Sequence, residues 1–373
     1  MHIRGPGADV LTPFDDFPVH QTALPLAHAG GGHADFYDRF WFNGYTEDFY
    51  FAVACGLYPN RGVIDAAFSV VSDGIQRSVF ASGPIPADRA RTVVGPIAID
   101  VVEPLRVNRV VVDAPEYGLG ADITATARTA AFEEPRQTRY AGPRLFMDVT
   151  RATQMVTWTG DLRAGGNDLD LERHVYGTKD RSWGVRPVGE PAPAAPAATV
   201  PQLFFLWAPL NFDDVCLHYM VFEDEHGEPW STTAALLPVI GSGDPVYGPD
   251  TGFEHLGPGR HDVHWASGLR RSGGARLEFT RGSVDLDPLL TFRMKGAGYM
   301  HPEWGHGRWH GGPAVGGEEH PVEALDTLAL DCIHVQQVMR ARWGDRTGLG
   351  VLEQLVIGRH QPSGFRDLLD GAP

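Results

Sequence analysis

Cysteine is nearly absent: 373 residues hold only Cys55, Cys216 and Cys332. Three thiols, far apart, odd in number and without a Cys-x-x-Cys pair, exclude a disulfide framework and a zinc knuckle; buried, reduced thiols are expected. Positive charge is also scarce. With 31 Lys and Arg against 47 Asp and Glu, the net charge is −16, which argues against a general nucleic-acid or anionic-membrane binder, since both need a positive field. No apolar run approaches the roughly 18 residues of a membrane span. Met1 to Gly7 offers no apolar stretch of signal-peptide kind, so a soluble, cytoplasmic protein without an integral membrane span is expected. Phosphate-binding Gly loops, a Gly-x-Gly-x-x-Gly after a strand and a Gly-x-Ser-x-Gly elbow are all missing. No cofactor is implied.

Glycine and proline, by contrast, are abundant, at 45 and 29 residues, well above their roughly 12% average share. Such punctuation favours many short strands. Apolar or alternating runs lie at 48–57, 63–71, 75–81, 92–102, 105–113, 121–132 and 154–159. They resume at 202–210, 215–223, 229–237, 260–265, 275–281, 289–295 and 350–358. Ser72-Asp73-Gly74 and Asp224 to Glu228 read as hairpin turns. The stretch 326–342 fits a strand at Leu328, Leu330 and Cys332 and a helix at Val335, Val338 and Met339; strand is preferred. Strands about ten residues apart, without a convincing amphipathic helix, predict an all-β chain of antiparallel barrels or sandwiches.

At this length two domains are expected. Residues 1–190 form the first, led by an irregular arm over 1–35. A Pro/Ala tract over 191–200 reads as a stiff spacer, and residues 201–373 form the second. The strip Tyr176 to Gly184, which packs Lys179, Asp180, Arg181 and Trp183 between glycines, reads as a polar hinge motif between the halves. Ligand clefts favour such joins.

Three segments are candidates for chemistry. The run 36–45 carries six aromatics, and three readings compete: rings of a barrel or sandwich core, walls of a ligand cavity with Trp41, Tyr45 and the orienting Asn43, or a protein contact. The second segment, 298–312, gathers His301, Glu303, Trp304, His306, Trp309 and His310. His301, Glu303 and His306 offer metal donors, but Pro302 and Gly305 forbid a helical ligand pair. A structural loop and a cleft lining are the other readings, and no metal is assigned. His264 and Trp265 form a similar pair. In the third segment, a carboxyl at Asp180 against the Trp183 indole would have its charged form disfavoured and could act as an acid. The indole could steady a cation. A salt bridge of Asp180 with Lys179 or Arg181 that shapes a turn is the plain alternative.

The Gly-x-x-Asp-x-x-Trp-Gly pattern of Gly177, Asp180, Trp183 and Gly184, between two all-β halves, resembles the carotenoid 1,2-hydratase (hydroxyneurosporene synthase) superfamily. The resemblance implies two tandem lipocalin-like (calycin-like) β domains, and an acid with aromatics that protonates an isoprenoid double bond before water adds. Where the hydratase motif has His-x-Trp-Gly, this chain has Arg181-Ser182-Trp183-Gly184, which points to another lipophilic substrate, terpenoid or steroid-like.

The expectation is therefore a cofactor-independent lyase or isomerase-type enzyme, a hydratase, dehydratase or cyclase, on a small hydrophobic molecule. Asp180 would be the acid, and Trp183 and Trp207 the cation-stabilising walls. Arg181, Asn211, Asp213 or His306 would orient water or a hydroxyl, and Trp41, Asn43 and Tyr45 would line the first domain's side. A non-catalytic lipocalin-like carrier is the second reading and a structural or interaction protein the third. A homodimer is an open expectation.

Overall fold

The computed structural model describes residue 23, residues 26–28, 31–189 and 202–373. The Pro/Ala tract and most of the N-terminal arm lie outside the described residues. In the first half, strands β1 (Phe36–Tyr45), β2 (Phe49–Tyr58), β3 (Val63–Ser72) and β4 (Ile75–Pro84) follow one another by tight turns. Asp73 and Gly74 turn between β3 and β4 with φ of 51° and 73°, the positive pair that a two-residue hairpin loop needs. Then come β5 (Ile97–Glu103), β6 (Val107–Ala114), β7 (Leu119–Ala127), the 21-residue β8 (Arg144–Ala164) and β9 (Val175–Val185).

The second half supplies β10 (Leu203–Asn211), β11 (Val215–Glu223), β12 (Pro229–Pro238), β13 (Arg260–Trp265), β14 (Ser272–Phe279) and β15 (Gly282–Arg293). It ends with β16 (Ala314–Pro321), β17 (Val335–Trp343) and β18 (Arg346–Ile357). The ambiguous stretch is thus a strand from Val335 onward. All ladders between these strands are antiparallel, and the helical turns among the described residues are short 3-10 segments.

Two sheets result. The first runs β16-β4-β3-β2-β1-β9-β8-β7-β6-β5, and the second β12-β11-β10-β18-β17-β15-β14-β13, each with shorter strands beside it. Strand β16 comes from the second half of the chain yet pairs with β4 along its whole length, Ala314 with Ser82 through Pro321 with Ile75. It covers what would otherwise be an open edge. The fold is all-β and lipocalin-like.

Strand alternation sorts the side chains into three apolar layers. Phe42, Phe51, Phe68 and Trp158 fill the first sheet's own interior, and Leu206, Tyr219, Leu277 and Leu352 the second's. Trp41, Tyr45, Tyr50, Phe205, Trp207 and Phe292 form a third layer, to which both sheets contribute. In β1 the even positions Phe40 and Phe42 turn into the first core, while Trp41 and Tyr45 turn to the third layer, as period two requires. The aromatic run therefore serves both as core and as the wall between sheets.

The strip 175–185 is not a hinge. It is β9, in the interior of the first sheet between β1 and β8. Its glycines answer to packing: a Cβ on Gly177 would collide with the Asn43 carbonyl oxygen and the Trp158 indole nitrogen, and one on Gly184, at φ 135°, with the Asp148 carbonyl. Cys55, Cys216 and Cys332 are free and buried.

Candidate functional site

The layer between the sheets is rich in buried polar side chains. Across the first sheet, register places Thr153, Asp180, Trp41, Ala54 and Ala67 side by side on one face. Across the second, it aligns Met220, Trp207, Glu353, Gln336 and Phe292. Asp180 thus has an indole as its cross-strand neighbour, but that indole is Trp41.

Asp180 and Trp183 are three residues apart on one strand, so they point to opposite faces. Trp183 is 41% exposed, and the structure does not bring it to the acid. Arg181 shares Trp183's face, where it pairs with Asp38 at 2.7 Å and lies 3.8 Å over the Phe40 ring. The salt bridge that Asp180 does make is with neither Lys179 nor Arg181 but with Arg151.

Arg151 Nε approaches Asp180 Oδ2 at 3.2 Å, without the alignment of a hydrogen bond, and Asp180 Oδ1 has no partner among the described residues. Burial pushes the Asp180 carboxyl up to about 6; Arg151 opposes the rise, and the negative charges of Glu134 and Glu353 add to it. Glu134 goes the other way. Burial would raise it too, but Arg151, His218 and Thr153 outweigh that and hold it at about 2. Its Oε1 accepts from Thr153 Oγ1 at 2.7 Å and from Trp207 Nε1 at 3.1 Å, with His218 Nε2 at 3.2 Å. Two carboxyls around one arginine are thereby driven apart.

On the facing sheet, Glu353 Oε1 lies 2.6 Å from His334 Nε2, and Glu353 Oε2 accepts from Gln336 Nε2 at 2.6 Å. In the neutral imidazole the carboxylate places the proton on His334 Nε2, which makes Nδ1 the acceptor. That Nδ1 is buried and has no partner among the described residues. Gln336 Oε1 in turn accepts from Tyr50 at 2.5 Å and from Asn43 Nδ2 at 2.8 Å, and Asn43 Oδ1 accepts from the Thr178 N–H at 2.7 Å. Asn43 is therefore a tie between the sheets. Asn211 is a second tie: its amide donates to Tyr45 at 2.9 Å and accepts from Arg128 at 3.1 Å. The Asp213 side chain is exposed, and only its carbonyl takes part, accepting from Arg128.

The segment 298–312 lies against the same layer at β3 and β4. His301 Nδ1 accepts from the backbone of Glu303 and Trp304, and the Glu303 side chain is exposed. Trp304 stacks on Phe80 and His310, at 5.7 and 4.3 Å between centroids. His306 meets Tyr299 edge-on at 4.6 Å. The three metal donors do not converge, and among the described residues no three His, Cys, Asp or Glu are placed to hold an ion. Of the expected site residues, Asp180, Trp41 and Trp207 share the layer's centre, with Asn43, Tyr45 and Asn211 as its ties and His306 at its margin. Trp183, Arg181, Asp213 and Glu303 stand outside it, and His301 and Trp304 shape the adjoining loop.

Arg151, Glu134, His334 and Glu353 were not legible as site residues. The available signal was polar side chains at alternate positions of otherwise apolar strands, such as Arg39, Asn43, Gln336 and Glu353.

A family model described as a family of unknown function (DUF8625) matches residues 11–366. No curated protein matches. Among solved structures the chain is similar to a crystal structure from Nitrosomonas europaea described as a "putative AttH", with TM-score 0.52 and 14% identity over 90% of this chain and 98% of that one. At that identity the likeness shows the fold alone.

Proposed function

The chain belongs to the family of unknown function DUF8625, and from its site we propose an acid–base enzyme that works without a cofactor on a double bond of an apolar, isoprenoid-like molecule. The observation that carries this is Asp180: a carboxyl 13% exposed and raised to about 6, whose buried Oδ1 has no partner among the described residues, beside Trp41 and facing the layer that holds Trp207. Asp180 would give its proton to one carbon of the double bond, which leaves a cation on the other. The faces of Trp41 and Trp207 would steady that cation. His334 Nδ1, fixed by Glu353, would then take a proton, from an adding water in a hydration or from a neighbouring C–H in an isomerisation or cyclisation. The likeness of Gly177 to Gly184 to the hydratase motif supports the acid; the role of its indole passes to Trp41.

Native mass spectrometry of the protein with a mixed terpenoid and steroid library, followed by product analysis, tests the reading. A bound compound should gain or lose water, or change skeleton, with the wild type. Asp180→Asn should lower that turnover by about 100-fold or more. Ligand recovered intact from both proteins would favour the carrier instead.

A further inference from the structure

Two arginines stand beside the acid without any part in the chemistry above. Arg39 is 1% exposed. Its Nη1 donates to His306 Nδ1 at 3.1 Å. The other ring nitrogen of His306 gives its proton to the Ala297 carbonyl at 2.8 Å, so Arg39 Nη2, 2.9 Å from that nitrogen, faces a donor. Arg39 Nε has no partner among the described residues. Arg186 lies 4.5 Å over the Tyr37 ring, and both guanidinium groups lie over Tyr299, at 4.5 and 5.6 Å. The Tyr37 hydroxyl is buried and also without a partner among the described residues.

Among the described residues no carboxylate reaches ion-pair distance of either arginine. His306 supplies no charge: burial first, then the charges of Arg39 and Arg186, hold it well below its ordinary value. The acids nearest along the sheet are Asp180, one strand over and two residues along from Arg39 and already beside Arg151, and Asp65, beyond Gly56 in register, about two strand spacings or 10 Å away. Arg186 and Arg39 act on these two carboxyls only at a distance, each lowering one of them. Asp65 is engaged by the Tyr58 hydroxyl at 3.1 Å and the Gly307 N–H at 2.5 Å. A buried guanidinium such as that of Arg39, with no anion at ion-pair distance, is costly, and a ligand that brings an anion to it and to the half-buried Arg186 lowers that cost.

We propose that Arg39 and Arg186, with the Tyr37 hydroxyl, bind an oxyanion head group, carboxylate or phosphate, so that the molecule taken at this site is apolar with an anionic end. That the ligand is also the substrate rests on the acid–base reading above. Arg39 is two residues from Trp41 on the same face, and Trp41 is opposite Asp180. The head group is therefore held about 7 Å along the strands from the acid, which sets the distance from the anion to the reacting bond.

The test uses the full chain and three probes: a fluorescent conjugated C18 tetraene acid, its methyl ester, and an alkyl phosphate as competitor. Wild type should bind the acid about tenfold or more tighter than the ester, as a charge-assisted pair implies. Arg186→Gln, at a partly exposed position, should shrink that gap to about threefold or less, and Tyr37→Phe should narrow it while leaving both arginines. Arg39→Gln should match Arg186→Gln where it folds. Displacement of the acid by the alkyl phosphate at lower concentration than by a fatty acid of equal length assigns phosphate; the reverse assigns carboxylate. Asp180→Asn should keep the gap, so lost turnover with an intact gap leaves this proposal standing, and an intact gap without turnover in the wild type sinks only the acid–base reading. Equal binding of acid and ester by the wild type, binding of neither, or an undiminished gap in Arg186→Gln overturns it.

Discussion

Asp180 and Glu134 both lie beside Arg151, one at 3.2 Å and the other at 3.5 Å, yet their carboxyls are displaced in opposite directions. The difference is in the other partners. Glu134 accepts from Thr153 and Trp207 and has His218 beside it, and the Glu134 side chain is fully buried. Asp180 keeps one bare oxygen and a misaligned contact. An environment that separates two carboxyls in this way assigns the reactive role to the raised one and a positioning role to the lowered one. Glu134→Ala would leave Arg151 buried with only a misaligned partner, and it should cost about 3–5 kcal/mol in chemical denaturation. Because Glu134 sits at about 2, below its ordinary 4.5, its share of stability is present above pH 4.5 and is lost as pH falls toward about 2. In Glu134→Ala that acid-side slope should flatten.

At the scale of elements, β9 does most to set the site, because it is paired on both sides and so has no freedom to slip. Gly177→Ala should destabilise the fold by about 1–3 kcal/mol, since the obstructing atoms are a strand carbonyl and a buried indole. A loss below about 0.5 kcal/mol would mean that the β1–β9 contact is looser than described. The strands themselves were largely legible: 215–223 and 260–265 were predicted with their observed bounds, because each is framed by turn residues. β9 was misread as a hinge because glycine and charge usually mark loops, whereas here the glycines admit close backbone packing and the charges face two different layers. β8 was read as only 154–159 of its 21 residues. Its polar flanks, including Arg151, belong to the site, and polar flanks are what apolar periodicity omits.

At the scale of the molecule, the site exists because two sheets with filled interiors also bury a face of each against the other. Asn43 and Gln336, 293 positions apart, meet across that layer, and no local pattern could announce such a pairing. What could be read was the presence of Trp41, Asn43, Tyr45, Asp180, Trp207 and Asn211; what could not was that Arg151, Glu134, His334 and Glu353 complete them. Packing of the sheets is also the first cause of the Asp180 displacement from its ordinary 3.8 to about 6. Over that interval the folded protein holds a proton that the unfolded chain releases, so this group's contribution to stability falls as pH rises from about 4 to about 6. The acid form, and turnover with it, is lost as pH rises through about 6. The most direct test is a carbon-13 titration of the aspartate carboxyls, with the Asp180 signal assigned by its loss in Asp180→Asn. A folded-state midpoint near 6 that returns to the ordinary aspartate value in denaturant is the predicted result; a folded-state midpoint below about 4 would contradict Asp180 as the acid.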